Sequence, residues 1–325
     1  MIMVRTPFRI SFAGGGSDLA DFYLKNGNGA VLSTTIDKYM YIMIHNYFHD
    51  KIRIKYSKTE DVNEIDQIQH PLVKGCLKLV GIESGIEIAS IADIPAGTGL
   101  GSSSTFTVCL LQALHTYRRG YVSKEDLAQQ ACKIEIDIVK EPIGKQDQYA
   151  ASYGGLNYIQ FNHDETVCIE PIVCGQQIKD QLDKNLMMFY VGHQRKASNI
   201  LREQKENMSR DKEFETVKRM VDLADRMRDC LSYSNLEGFG RLLNKSWLLK
   251  RQVASKISNS EIDDYYDKAL KAGAIGGKLL GAGSGGFFLF YCEPQNQQKI
   301  RSALGLRELK FKFDNEGSKI VYLES

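Results

Sequence analysis

The residues best placed to do chemistry stand in one run, Pro95-Ala-Gly-Thr-Gly-Leu-Gly-Ser-Ser-Ser104. Gly97, Gly99 and Gly101 alternate along it, which opens backbone conformations closed to other residues and lets the chain approach a ligand closely. Ser102, Ser103 and Ser104 follow, and a helical pattern begins. A glycine-rich turn entering a helix aims several free N–H groups at one spot, on the positive end of the helix dipole. Phosphate suits such a cradle, and a serine hydroxyl there can also hold Mg²⁺. The run is neither G-x-x-x-x-G-K-[ST] nor G-x-G-x-x-G after a first strand, and spacing alone also fits a flexible turn with a strong helix cap. A second spacing, His45-Asn-Tyr-Phe-His49, imitates two metal ligands one helical turn apart. Its segment reads as a strand and lacks the glutamate of H-E-x-x-H, so a structural role is expected.

Pro95 to Ser104 resembles the central P-x-x-x-G-L-G-S-S-[SA] motif of the GHMP kinases, named for galactokinase, homoserine kinase, mevalonate kinase and phosphomevalonate kinase. Two further motifs resemble that family: Arg5-Thr-Pro-Phe-Arg-Ile-Ser-Phe-Ala-Gly-Gly-Gly-Ser-Asp18 and Lys278-Leu-Leu-Gly-Ala-Gly-Ser-Gly-Gly-Phe287. Three ordered motifs reach from near one end of the chain to near the other. Galactokinases carry G-E-H-T-D where this chain has Gly14-Gly-Gly-Ser-Asp18. The triglycine form looks like the D-glycero-D-manno-heptose 7-phosphate kinase branch and the related fucokinase domain, and Gly192-His-Gln-Arg-Lys-Ala-Ser198 followed by Ile200, Leu201 and Gln204 looks like the heptose-phosphate kinases.

The resemblance implies ATP and Mg²⁺. It implies that Pro95, Gly97, Gly99, Leu100, Gly101, Ser102, Ser103 and Ser104 hold ATP. Asp147 matches the aspartate of the family's P-x-G-x-x-D segment, implied to face the acceptor hydroxyl as a base or as an orienting acceptor. Arg9 matches a basic residue implied to pair with Asp147 and steer charge on the transferred phosphoryl group. Glu135 and Ser103 are the implied magnesium partners, a small set that suits a cation keeping phosphate and water oxygens. Asp137 competes with Glu135, yet two residues apart on a helix do not share a face. Asp18 is the implied sugar-binding carboxylate, able to accept two hydroxyls; an N-cap role is compatible with it. Gly15, Gly16 and Ser17 beside it, and Gly283 in the third motif, are expected around the substrate, with the glycines leaving room for a bulky sugar. A substrate that already bears phosphate needs a second anion site, for which Arg195 and Lys196 are candidates, with Lys145 behind them. A solvated helix face explains that pair equally well.

Elements must position these groups. Extended stretches are expected over residues 4–12, 29–34, 38–48, 51–56, 85–91, 156–161, 167–172, 186–191, 275–280, 287–292, 308–313 and 319–323. Helices are expected over 70–80, 105–117, 124–138, 145–152, 198–231 with a break near Arg210, 236–250 and 261–271. A chain of 325 residues suits two domains, divided near Asp183 into 1–183 and 184–325. The expected fold class is α+β. The resemblance implies a first domain like ribosomal protein S5 domain 2 and a ferredoxin-like second domain, with the site between them.

Composition bounds the rest. A net charge of +2 gives no global field for nucleic acid or a membrane surface. Seven cysteines, an odd number with no C-x-x-C pair, read as free thiols of a reducing cytosol. The N-terminus has no secretory pattern and no stretch of about 18 apolar residues occurs. The expectation is a cytoplasmic enzyme, monomer or homodimer, phosphorylating the anomeric hydroxyl of D-glycero-D-manno-heptose 7-phosphate. A fucokinase-like or other sugar 1-kinase, a non-catalytic sugar and ATP sensor, and a decarboxylase like mevalonate diphosphate decarboxylase are the competing readings.

Overall fold

The computed structural model describes residues 1–192 and 198–324. Strands β1 (Ile2–Ala13), β2 (Asn28–Asn46), β3 (Ile52–Lys55), β4 (Thr59–Val62), β5 (Ile86–Ala92), β6 (Asn157–Asn162) and β7 (Val167–Pro171) build a first sheet. Strands β8 (Leu186–Tyr190), β9 (Gly276–Leu279), β10 (Phe287–Tyr291) and β11 (Arg307–Glu308) build a second. The chain then returns to the first sheet as β12 (Phe313–Asp314) and β13 (Lys319–Leu323).

The first sheet runs β13-β1-β2-β5-β3-β4, with β6 and β12 also on β2 and β7 on β6. β2 is its spine. The two expected strands over 29–34 and 38–48 are one strand of 19 residues. Asp37 and Lys38 look like a break, but distant residues carry the ladder across: Phe313 pairs with Ile36, and the Asp37 amide donates to the Lys312 carbonyl. β1 changes register against β2 between Pro7 and Arg9. Such irregularities re-aim side chains beside functional sites, and Arg9 is the residue re-aimed here.

The helix Ser102–Tyr117 packs on β1 and β2 through an almost unbroken buried face. Next, Lys124–Cys132 is α-helical, capped by the Ser123 hydroxyl accepting from the Asp126 amide. The expected helix over 124–138 changes pitch there. Lys133–Ile138 is a π-helical turn in which the Val139 amide donates to the Ile134 carbonyl. This places Glu135 inward, fully buried, and Asp137 outward.

The second sheet is antiparallel in the order β11-β8-β10-β9. Helices Ser198–Asn207, Asp211–Ser232, Leu236–Lys250 and Ser260–Lys271 lie between β8 and β9, and Pro294–Leu304 between β10 and β11. Counted along the chain this is strand order 4-1-3-2, the ferredoxin-like arrangement. Its core stacks Phe288 and Phe290 of β10 on Tyr266, with the Trp247 ring edge-on to Phe288.

Among the described residues, β4, the 3-10 turn Ile65–Gln67 and the helices Gln176–Asn185 and Pro294–Leu304 have no counterpart in the sequence reading. The expected strand over 308–313 is divided. The Leu309 amide donates to Met188 on the second sheet, while Phe313 already pairs with β2 on the first. A boundary near Asp183 therefore separates the sheets only as far as residue 312. Among the described residues the cysteines are free, and no helix is long and apolar enough to cross a membrane.

Candidate active site

The loop from Pro95 links β5 to the helix Ser102–Tyr117. Gly97, Gly99 and Gly101 take positive φ of 76°, 85° and 79°, so the loop folds back without side-chain strain. A Cβ on Gly99 would stand 2.6 Å from the Leu280 carbonyl oxygen, and one on Gly281 would stand 2.2 Å from the Gly99 Cα. The central and third glycine loops thus lie backbone against backbone, a contact open only to glycine. Pro95, Gly97, Gly99, Gly101, Ser102, Ser103 and Ser104 all line one cleft. Leu100 does not: its side chain is fully buried and its carbonyl accepts from the Arg9 amide at 3.2 Å, so it anchors the loop. The first-turn amides at Ser102 to Ser104 have no intrahelical acceptor, which suits this helix end to an anion.

Arg9 meets Asp147 as a two-pronged pair. Its Nε donates to Asp147 Oδ1 and its Nη2 to Oδ2, each at 2.6 Å, while Nη1 donates to the Gly99 carbonyl at 2.7 Å. One guanidinium therefore fixes both the carboxylate and the glycine loop. A Cβ on Gly101 would approach Asp147 Oδ2 to 3.1 Å, so glycine there lets the loop close on the pair. Asp147 sits in the first turn of the helix Gln146–Tyr153 and lines the cleft.

Asp18 lies further along the same wall, almost fully buried. It accepts from the Gly16 amide at 3.0 Å and from Gln146, through the backbone N–H at 3.2 Å and Nε2 at 3.0 Å. Burial, and next the nearby Asp147 carboxylate, raise its pKa above the ordinary range. The triglycine makes less open room than expected. A Cβ on Gly14 would strike the Ala30 carbonyl oxygen at 1.9 Å, and one on Gly16 would strike Gln204 Nε2 at 2.1 Å. Only Gly15 faces space, with Gln146 Nε2 at 3.9 Å as its nearest neighbour. Ser17 is a correction. Its buried hydroxyl donates to the Ala30 carbonyl and accepts from the Ala30 amide, so it pins the loop to β2 and faces no substrate.

Glu135, expected to bind metal, is fully buried and is not among the residues that line the cleft. Gln148 Nε2 donates to its Oε2 at 2.6 Å, and its buried Oε1 has no hydrogen-bond partner. Burial raises its pKa to about 7, against the pull of the Ser104, Ser103 and Gln148 donors. A buried carboxylate with a spare oxygen beside two serine hydroxyls fits a hard dication. Among the described residues there is no cluster of three or more acids, histidines or cysteines, and Mg²⁺ held mostly by phosphate does not need one.

Gly283 lines the cleft at φ 118°, where a Cβ would meet the Ile257 backbone at 2.8 Å. Lys145 turns away from the cleft: its ammonium pairs with Glu165 at 2.8 Å and covers the Tyr23 ring. Arg195 and Lys196 lie outside the described residues.

Gln146, Gln204, Lys250 and Lys278 also line the cleft, and the sequence reading assigned them no role. Gln146 is inside the P-x-G-x-x-D segment and Lys278 opens the third motif, so proximity to a motif was their available signal. The whole cleft encloses about 1140 Å³. Its far end, beyond Pro95, is walled by Tyr56, His70 and Phe106, with the His70 ring stacked on Phe106.

The chain matches known proteins along its length. The family model of the GHMP kinases N terminal domain matches residues 71–155, and that of the GHMP kinases C terminal matches 220–309. The chain is 27% identical to D-glycero-alpha-D-manno-heptose 7-phosphate kinase of Campylobacter jejuni over 98% of both chains. It is 24% identical to the bifunctional fucokinase/GDP-fucose pyrophosphorylase of Arabidopsis thaliana, over 91% of this chain and 30% of that one. The solved structure of a D-glycero-D-manno-heptose 1-phosphate kinase from Bacteroides thetaiotaomicron superposes with a TM-score of 0.81 at 25% identity, covering 100% of both chains. With both family models in order along it, and with the loops those motifs form converging on one cleft, the chain belongs to the GHMP kinases, ATP-dependent phosphotransferases.

Proposed function

We propose that the chain transfers the γ-phosphoryl group of ATP to the anomeric hydroxyl of D-glycero-D-manno-heptose 7-phosphate, giving the 1,7-bisphosphate and ADP. The observation that carries the reading is the Arg9–Asp147 pair, held on the cleft wall between the amides of the helix at Ser102 and the Asp18 pocket. An acceptor hydroxyl placed against Asp147 faces the phosphate cradle directly. The acceptor oxygen forms the new bond to phosphorus as the bond to the bridging oxygen of ADP breaks, and the hydroxyl proton passes to the Asp147 carboxylate. Arg9 holds that carboxylate in place through the transfer. Asp18 and Gln146 orient the sugar by its hydroxyls. The aromatic wall of Tyr56, His70 and Phe106 suits the adenine ring. Glu135 and Ser103 would hold Mg²⁺, which neutralises phosphate oxygens when bound.

Support for the heptose comes from two relatives matched over nearly the whole chain. Their names agree on the sugar and differ on which phosphate the substrate already bears. ADP release should therefore be measured with heptose 7-phosphate, heptose 1-phosphate, L-fucose and D-galactose, with ³¹P NMR of each product. Turnover is expected on the heptose 7-phosphate. Turnover on fucose or galactose alone would replace this reading, and binding without turnover on all four would favour a sensor.

A further inference from the structure

Among the described residues, the cations that line the cleft are Arg9, Lys250 and Lys278. Only Arg9 has a carboxylate, and that carboxylate is Asp147. Lys278, almost fully buried on β9, donates to the Phe12 carbonyl of β1 at 3.0 Å. Lys250, the last residue of the helix Leu236–Lys250, donates to the Leu279 carbonyl at 2.8 Å and to the Gly281 carbonyl. Neither lysine makes an ion pair with a described residue.

A buried ammonium without a counter-charge is costly, and two near each other cost more. Burial, with Arg9 close by, lowers Lys250 to about 7. Burial, then Lys250 and Arg9, push Lys278 well below the usual lysine range. Each ammonium has three donors, and carbonyls take one from Lys278 and two from Lys250. Two lysines with spare donor capacity and no carboxylate partner therefore stand on a cleft wall shared by the third loop and β1.

We propose that Lys250 and Lys278 form a second anion site in this cleft, distinct from the helix end at Ser102, that receives a phosphate group of the bound substrates. That phosphate is either the phosphoryl in transfer or the one a sugar phosphate already carries. The proposal rests on the kinase reading only for the presence of phosphate in the cleft. Its test measures binding, so a chain that turns over none of the sugars above would still answer it.

Isothermal titration should compare wild type, Lys250→Met and Lys278→Met. The probes are ADP, a non-hydrolysable ATP analogue, heptose 7-phosphate and unphosphorylated heptose. Losing a charge-assisted hydrogen bond should weaken a phosphate-bearing probe about 10- to 100-fold while leaving the unphosphorylated heptose unchanged. A loss confined to the ATP analogue, with ADP spared, assigns the site to the transferred phosphoryl. A loss confined to heptose 7-phosphate assigns it to the sugar's own phosphate. Wild-type affinity for every phosphate-bearing probe in both variants would overturn the site. Should a variant fail to fold, NMR titration of the lysine side chains in wild type decides: the assigned phosphate should return both midpoints toward the ordinary lysine value. Midpoints that phosphate-bearing probes leave unmoved would overturn the proposal equally.

Discussion

Arg9 and Asp147 show how much a single pair can settle. The guanidinium spends two donors on the carboxylate and one on the Gly99 carbonyl, so carboxylate, cation and glycine loop share one rigid unit. Asp147→Asn keeps the shape, removes the proton acceptor, and should lower kcat by about 10²- to 10⁴-fold with a near-native melting temperature. Steady-state kinetics and a thermal melt check this; a fully active variant would remove Asp147 from proton transfer. Glu135 makes a different demand. Its carboxyl rises from an ordinary 4.5 to about 7 on folding. The folded protein thus holds a proton that the unfolded chain has lost, and stability falls as pH rises from about 4.5 to about 7. The full penalty above that window is about 3 kcal/mol. Without metal, Glu135→Gln should therefore melt several degrees above wild type at pH 8, and the gap should shrink toward pH 5. Its activity should be lower. An equal gap at both pH values would mean that another group titrates. Arg9, Asp147, Glu135 and Asp18 were legible as candidates through the family resemblance. Gln204 and Lys250 were not, because what matters about each is a tertiary neighbour, Gly16 for one and the Gly281 carbonyl for the other.

At the scale of elements, the cleft depends on two glycine loops touching. Gly281 has φ 69°, and a Cβ there would sit 2.2 Å from the Gly99 Cα. Gly281→Ala must strain its own backbone and also push the loops apart. Gly81 separates these effects, since it has φ 72° with nothing within 4 Å of its Cβ position. Gly81→Ala should cost about 1 kcal/mol of stability and leave activity intact. Gly281→Ala should cost more and abolish activity, as denaturant unfolding and ADP release would register. Equal behaviour of the two would mean that the loop contact does not matter. Sequence patterns found the helices with a strong apolar stripe and the aromatic strands. They missed the helix Gln176–Asn185, where polar residues leave a thin stripe, and also Pro294–Leu304, although Pro294 at its first position is a readable start signal. They also ran the helix from Lys124 straight through a π-helical turn, a change of pitch that no periodicity over six residues can announce.

At the scale of the molecule, the two-domain fold was legible from three spaced motifs, but the path of the chain was not. β12 and β13 come from the last residues and complete the first sheet. β13 covers the outer edge of β1, reinforced by the Thr6 hydroxyl donating to Ser318 at 2.8 Å and by Arg5 pairing with Glu316 at 2.6 Å. Glycine contacts tie the same region to the site's support: a Cβ on Gly154 would meet the Gly317 amide nitrogen at 2.0 Å, just beyond the helix that carries Asp147. A fragment of residues 1–183 would therefore expose β1 as a bare edge, leave Ile36 of β2 without its Phe313 partner, and loosen that helix. Such a fragment should show no cooperative melt and should bind a hydrophobic dye. The full chain should unfold in one calorimetric transition, and adding a peptide of residues 311–325 should restore part of the melt. A fragment that melts cooperatively by itself at the full chain's temperature would mean that the first sheet owes nothing to its returning strands. The peptide arm makes the cause specific, because only strand addition on β1 and β2 predicts that fifteen residues from the far end of the chain rescue the first half.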